Sequence, residues 1–130
     1  MPINTTILDG IIYTELSGEI NLDAIITYSD FIFSLKDKLV NRYELHDHTN
    51  TKSINLSSED ISQIAAYSIK TESIFQHTVL AVYAPSDYTF GIARMFEMVF
   101  EVEDRSIYVE IFRNKEDALQ FLISHMDKHG

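Results

Sequence analysis

The sequence contains no cysteine, which removes disulfides, thiolate metal sites and cysteine nucleophiles and is compatible with a reducing compartment. It has only 2 prolines and 4 glycines. No linker rich in either residue divides the chain, and no Gly-rich phosphate loop follows an apolar run. Long hydrophobic runs are also missing, all of them falling far short of the roughly 20 apolar residues that span a bilayer. The opening residues, Met1-Pro2-Ile3-Asn4-Thr5-Thr6, lack a basic segment leading into an apolar one. Positive charge is scarce: 10 Lys and Arg stand against 20 Asp and Glu, for a net charge of -10 and a pI near 4.7. The acidity is even, with 4 basic against 10 acidic residues in the first 65 and 6 against 10 in the last 65. Such a surface repels phosphate backbones and anionic headgroups. The expectation is a soluble, cytoplasmic protein with no nucleic-acid partner and no stable membrane insertion, the charge serving chiefly to keep it dissolved.

What is present specifies a fold better than a chemistry. A chain of 130 residues fits one domain, 1–130, and can bury roughly two thirds of its unfolded surface. The most informative stretch runs from Thr78 to Leu122. The run 79–84 is apolar on both faces, as in a strand covered by helices on each side, and Pro85 ends it. Asp87 is placed as the cap of a helix rich in Met and Phe. The run 107–112 follows as a second strand, and Asn114 caps a last helix with Ala118, Leu119, Leu122 and Met126 turned inward, its tail expected to fray. Earlier, Asp9-Gly10 supplies a turn before the β-rich Ile11-Ile12-Tyr13-Thr14-Glu15-Leu16, so an antiparallel hairpin opens the chain. Asn21 caps a helix whose Ile25, Tyr28, Ile32, Leu35 and Leu39 recur at helical spacing to Val40. The run 43–48 reads as a third strand, more polar than a covered central strand should be. A polar loop follows, with 53–56 extended, and Ser57 or Ser58 caps a helix in which Asp60 completes a capping box and Ile61, Ile64 and Ala65 face the core. Strands alternating with helices imply right-handed crossovers and a parallel arrangement. The fold class is therefore α/β: a mixed, mostly parallel sheet of about five strands, an N-terminal β-hairpin and four helices.

This order of elements resembles the SpoIIAA-like branch of the STAS-domain families, which share a fold with bacterial anti-sigma-factor antagonists. The matching residues are Leu80-Ala81-Val82-Tyr83-Ala84, Phe90-Gly91-Ile92-Ala93-Arg94-Met95-Phe96-Glu97, Val109-Glu110-Ile111-Phe112-Arg113 and Glu116-Asp117-Ala118-Leu119-Gln120-Phe121-Leu122. In the N-terminal half the likeness lies in element order, with Gly18-Glu19-Ile20 and Asp47. The resemblance implies a noncatalytic regulatory or protein-interaction domain. It also implies that a serine at the start of the second helix is phosphorylated to release a partner, and the matching position is Ser58. Here no Asp precedes the serine pair, and Glu59 stands where the pattern has a small Gly, so phosphate would gain from the helix dipole and lose to repulsion.

Other constellations are weighed against plainer readings. His46 and His48 flank Asp47 and point to one face of a strand. A His-x-His pair can ligate a transition metal, but nothing else in the sequence offers a third and fourth ligand, so no metal and no cofactor are expected. His125 and His129, four apart near the terminus, form a still weaker pair. Asp47, Ser86, Asp87 and Tyr88 fall at the carboxyl ends of the strands, the edge where open α/β sheets place ligands. They are the candidate contacts for a small amphipathic ligand or lipid, although turn and capping chemistry also accounts for Ser86 and Asp87. No catalytic motif is present: there is no Gly-x-Ser-x-Gly, His-Glu-x-x-His or Walker sequence, and the paired Glu103 and Asp104 lie in a polar turn. Gly91, inside a helix, is expected to mark close packing. At about 100° per residue the third helix gathers Asp87, Arg94, Glu97 and Glu101 into one stripe with Phe90 inside it, leaving an apolar arc wider than one packed face needs. Phe90, Ala93, Arg94, Met95, Met98 and Phe100 are therefore candidates for an interface with a protein partner or a second copy, a dimer being the first expectation.

Overall fold

A computed structural model describes residues 2–72, 74–103 and 107–129, with the side chains of 69–72, 99–103 and 129 outside that description. The hairpin forms as expected from strands β1 (Ile3–Leu8) and β2 (Ile11–Leu16), paired antiparallel. Asp9 and Gly10 both adopt positive φ, 52° and 80°, the backbone of the two-residue turn whose twist suits flanking strands. From β2 the sheet grows in parallel through β4 (Arg42–Asp47), β6 (Thr78–Tyr83) and β7 (Ile107–Phe112), in the order β1-β2-β4-β6-β7.

Two further strands were not expected as such. The segment after Ser17 and the partly extended polar loop pair with each other. Strands β3 (Gly18–Asn21) and β5 (Thr51–Asn55) form a separate parallel two-stranded sheet, with an irregular register between Gly18 and Glu19. Each is short, and neither carries the clean alternation that marks a half-buried strand.

Four helices cover the main sheet: α1 (Leu22–Phe33), α2 (Ser58–Glu72), α3 (Asp87–Glu103) and α4 (Lys115–His129). On one face, α4 buries Ala118 and Leu122 against Ile11, Tyr43, Leu45, Val79 and Ala81. The opposite face receives α1, α2 and α3, where Ile32 and Leu35 pack on Ile12 and Ala93 packs on Val82 and Ala84. Alternation along each strand divides the two layers. Odd positions of β4 face α4, and even positions, Arg42, Glu44 and His46, face the other three helices.

The helix starts follow capping chemistry. The Asn21 carboxamide oxygen accepts from the Ala24 N–H at 2.9 Å, and Asn114 accepts from the N–H groups of Glu116 and Asp117. At α2, Ser57 Oγ accepts from Asp60 N–H while the Asp60 carboxylate accepts from Ser57 N–H, both at 3.0 Å: a reciprocal box. Four expectations are corrected. The α3 cap is Ser86, whose Oγ accepts from Thr89 N–H at 3.1 Å, and Asp87 already lies in the first turn. The first helix does not continue to Val40. Ser34 donates to the Phe31 carbonyl at 2.5 Å and the chain tightens into a 3₁₀ turn, Ser34–Asp37, the competition a serine hydroxyl offers an α-helical backbone. Gly91 is exposed, and a Cβ there would meet nothing within 4 Å, so close packing does not explain it. The tail is helical to His129.

Because Ser57 does the capping and Ser58 lies exposed one residue on, the two serines separate in a stability measurement. Ser57→Ala costs about 1 kcal/mol in chemical denaturation, whereas Ser58→Ala changes stability by less than about 0.5 kcal/mol.

Candidate functional site

The even positions of β4 build the chemically densest place among the described residues. Glu44 is fully buried, its side chain 0 % exposed, where an isolated carboxylate would be very costly. Its two oxygens are instead ringed by donors. Arg42 Nε donates to Oε1 at 2.9 Å, with Nη2 of the same guanidinium 2.8 Å away. Oε2 accepts from Thr14 of β2 at 2.5 Å and from the hydroxyl of Tyr28, which reaches down from α1. His46 Nε2 lies 3.1 Å from the same oxygen and 3.1 Å from the Tyr28 hydroxyl. Arg42 Nη2 also donates to the Tyr28 oxygen at 2.9 Å. One proton assignment follows by elimination. The carboxylate can only accept, and the Tyr28 hydroxyl has given its hydrogen to Glu44, so His46 Nε2 carries a hydrogen.

Charge follows the same geometry. Burial alone would raise the Glu44 carboxyl, but His46, Arg42 and the donated hydrogen bonds outweigh it and hold Glu44 well below the usual carboxylate range. Burial raises the Tyr28 phenol, and the neighbouring carboxylate raises it further, so it is a neutral donor. His48, two residues beyond His46, is pulled down to about 4 by burial and then by His46, against a smaller opposing pull from Asp47. At neutral pH it is an uncharged imidazole. The Thr51 hydroxyl has its hydrogen on the Leu16 carbonyl at 2.7 Å, so it accepts from His48 Nδ1, 3.0 Å away. His48 Nε2 is thereby left as an acceptor.

This cluster forms one wall of a cavity of about 120 Å³ between the sheet and α1–α3. Thr14, Tyr28, Arg42, His46 and His48 line it on the polar side, and branched aliphatic side chains such as Ile20, Ile54, Ile64, Val82 and Ile92 line most of the rest. Thr78, paired with Arg42 across β4 and β6, is buried with no partner for its hydroxyl among the described residues.

The residues expected to contact a ligand lie elsewhere and are separately engaged. Asp47 sits at the end of β4 on the α4 side, accepting from the backbone and hydroxyl of Thr49 and lying 3.4 Å from Lys115. Despite partial burial, these contacts hold its carboxyl below the ordinary value. Ser86 caps α3, and Asp87 pairs with Arg113 at 2.7 Å. The Tyr88 hydroxyl accepts from the Ile54 N–H of β5 at 2.8 Å. None of the four lines the cavity. His46 and His48 do share a face, but no group of three or more metal-ligating side chains forms among the described residues. His125 packs edge-on against Phe121 and tilted against Tyr108, while the side chains of His129, Phe100 and Glu103, and Asp104 itself, lie outside the described residues. Ser58 is exposed in the first turn of α2.

Helix α3 is rotated relative to the expected stripe. Ala93 is buried, Phe90 is half-buried against the cluster that Ala93 forms with Val82 and Ala84 and has the Arg113 guanidinium over its ring, and Glu97 turns partly inward. The outward stripe is Asp87, Tyr88, Gly91, Arg94, Met95 and Met98. Of the expected interface side chains that are described, Arg94, Met95 and Met98 face outward. Met95 and Met98 are 49% and 61% exposed.

Neither a scan against protein-family models nor a search of curated proteins returns a match. Solved structures do match along nearly the whole chain. An uncharacterized protein with a SpoIIAA-like fold from Shewanella loihica aligns at a TM-score of 0.60 and 15% identity, over 92% of this chain and 91% of that one. The anti-sigma factor antagonist SpoIIAA in its unphosphorylated form aligns at 0.56 and 10%, over 93% and 97%. An anti-sigma factor antagonist from Mycobacterium paratuberculosis aligns at 0.54 and 16%, over 93% and 92%. At these identities the likeness is one of fold, and the chain has the SpoIIAA-like fold. No helix among the described residues is long and apolar enough to cross a membrane.

Two outcomes follow from the polar wall. Arg42→Leu strands the buried carboxylate and costs about 3–5 kcal/mol in denaturant unfolding. His48 binds its proton more weakly when folded than when unfolded, so its contribution to stability is complete above the unfolded value near 6.5 and is lost as pH falls toward about 4. The His48→Leu variant therefore shows a flatter decline of unfolding free energy between those two pH values than the parent chain does.

Proposed function

We propose that this chain is a noncatalytic regulatory domain that works by protein interaction, with the outward stripe of α3 as its contact and a second copy of the chain as the occupant. The observation that carries this reading is the exposure of Met95 and Met98, side by side on a helix whose opposite face is already packed. Methionine side chains adapt to a partner surface at small cost, and a pair so placed favours burial. Charge supports self-association despite the acidity of the whole chain. Arg94 lies 3.7 Å from Glu97, and Arg113 compensates Asp87 at the start of the same helix. The described part of the stripe is therefore locally balanced where the rest of the surface would repel a copy of itself.

The fold lends further support, because structural neighbours include anti-sigma factor antagonists, proteins named for acting against another protein. Ser58 is the natural point of regulation in this reading. It is exposed at the positive end of α2 and relieved of capping by Ser57, although Glu59 and Asp60 beside it oppose an added phosphate.

Sedimentation equilibrium over a range of protein concentrations tests the proposal. The parent chain gives a concentration-dependent dimer, and Met98→Glu, which places a charge in the centre of the contact without touching the core, gives a monomer with unchanged unfolding. A parent chain that stays monomeric, or a dimer that Met98→Glu leaves intact, overturns it.

A further inference from the structure

We propose that the cavity between the sheet and α1–α3 is a binding site for a small neutral molecule with an apolar body and a single hydroxyl, of the size and kind of phenol, the hydroxyl donating to His48 Nε2. This is a second activity, independent of the α3 contact.

Size sets the first limit. A cavity of about 120 Å³ is close to the roughly 150 Å³ apolar cavities that stay dry and admit benzene, so the occupant has about six or seven heavy atoms. The lining sets the second. Ile20, Ile54, Ile64, Val82 and Ile92 offer only hydrocarbon, and their branched side chains hold fixed rotamers that keep the space open.

Charge sets the third limit. The buried negative charge behind the wall, Glu44, is already met by Arg42, Thr14, Tyr28 and His46. It neither seeks a cation nor leaves Arg42 available to an anion, and a charged ligand would exchange its hydration for no more than the hydroxyls of Ser29 and Ser68. Hydrogen bonding sets the last. His48 lines the cavity with its Nδ1–H committed to Thr51, whose own hydrogen is on the Leu16 carbonyl. The ring nitrogen that remains is an acceptor, so the ligand must bring the donor. A hydroxyl does so; a purely hydrocarbon guest leaves that nitrogen unmatched, and a carboxylate presents it with a second acceptor.

The experiment is a titration of the full chain with phenol, benzene and benzoate, followed by amide chemical shifts in a two-dimensional NMR spectrum. Phenol is expected to shift the amides of residues around Ile64, Val82 and Ile92 and to bind roughly fivefold tighter than benzene, the factor that one net hydrogen bond supplies, while benzoate leaves those amides unmoved. His48→Leu brings phenol down to the affinity of benzene, and Ile64→Phe, which fills the space, abolishes both. The proposal is overturned if phenol shifts none of these amides, if benzene binds as tightly as phenol, or if benzoate binds as well as either. The ratio of phenol to benzene on the parent chain decides the matter even where a variant does not fold.

Discussion

A carboxylate fully removed from water in the middle of a sheet is expensive, at several kcal/mol after any relaxation, and Glu44 is tolerable only because three separate elements deliver donors to it. Thr14 comes from β2, Arg42 and His46 from β4, and Tyr28 from α1. The dependence runs both ways. If α1 shifts, Tyr28 leaves and the carboxylate is stranded; if β2 slips by one residue, Thr14 turns to the α4 face. The register of the sheet and the seating of the first helix are thus tied to one buried side chain. A hydrophobic core tolerates small sliding, but a fully satisfied polar cluster does not. The opposite face of the sheet, where Ala118 and Leu122 meet Leu45, Val79 and Ala81, carries bulk hydrophobic burial without such a restriction.

Much of the fold was legible because its signals are local. The Asp9-Gly10 turn, the Asn21, Ser57 and Asn114 caps and the covered run of β6 each depend on a few neighbouring residues. The polar cluster was not, and the reason is instructive. Its signal is a period of two, Arg42, Glu44, His46 and then His48, which places four polar side chains on one face of a strand bound for the interior. The surplus polarity of that strand was visible, but a His-x-His pair reads as metal chemistry, whereas the pattern begins four residues upstream of His46, at Arg42. Its completion needs Tyr28 and Thr14, and nothing in one sequence pairs those with Glu44. The apolar spacing of α1 marks Tyr28 only as another inward position.

The third helix failed differently. Counting charges placed its polar stripe through Asp87, Arg94 and Glu97, with Phe90 inside it. The packed helix sets Phe90 against the Val82, Ala84 and Ala93 cluster, caps the ring with Arg113, and brings Glu97 partly inward beside Arg94. An aromatic side chain contributes more by burial than a largely covered carboxylate paired with arginine loses, so the helix turns toward its rings and presents methionine outward. Helical periodicity gives the width of an apolar arc; the competition between a large ring and a flexible thioether decides which part of that arc is covered.

The cavity raises the question of why the layers do not close upon it. Side chains around a space of about 120 Å³ forgo packing contacts that collapse of α1 and α2 onto the sheet would restore. Collapse would require Tyr28 to move past Glu44, and breaking a buried charged cluster costs about 3–5 kcal/mol, so the open arrangement is favoured. Tyr67 of α2 donates to Asp30 of α1 at 2.6 Å, coupling the second helix to the first and hence to the same anchor. The interior space is a consequence of the polar wall beside it: the groups that make Glu44 tolerable also hold the helices at the distance that leaves room for a guest.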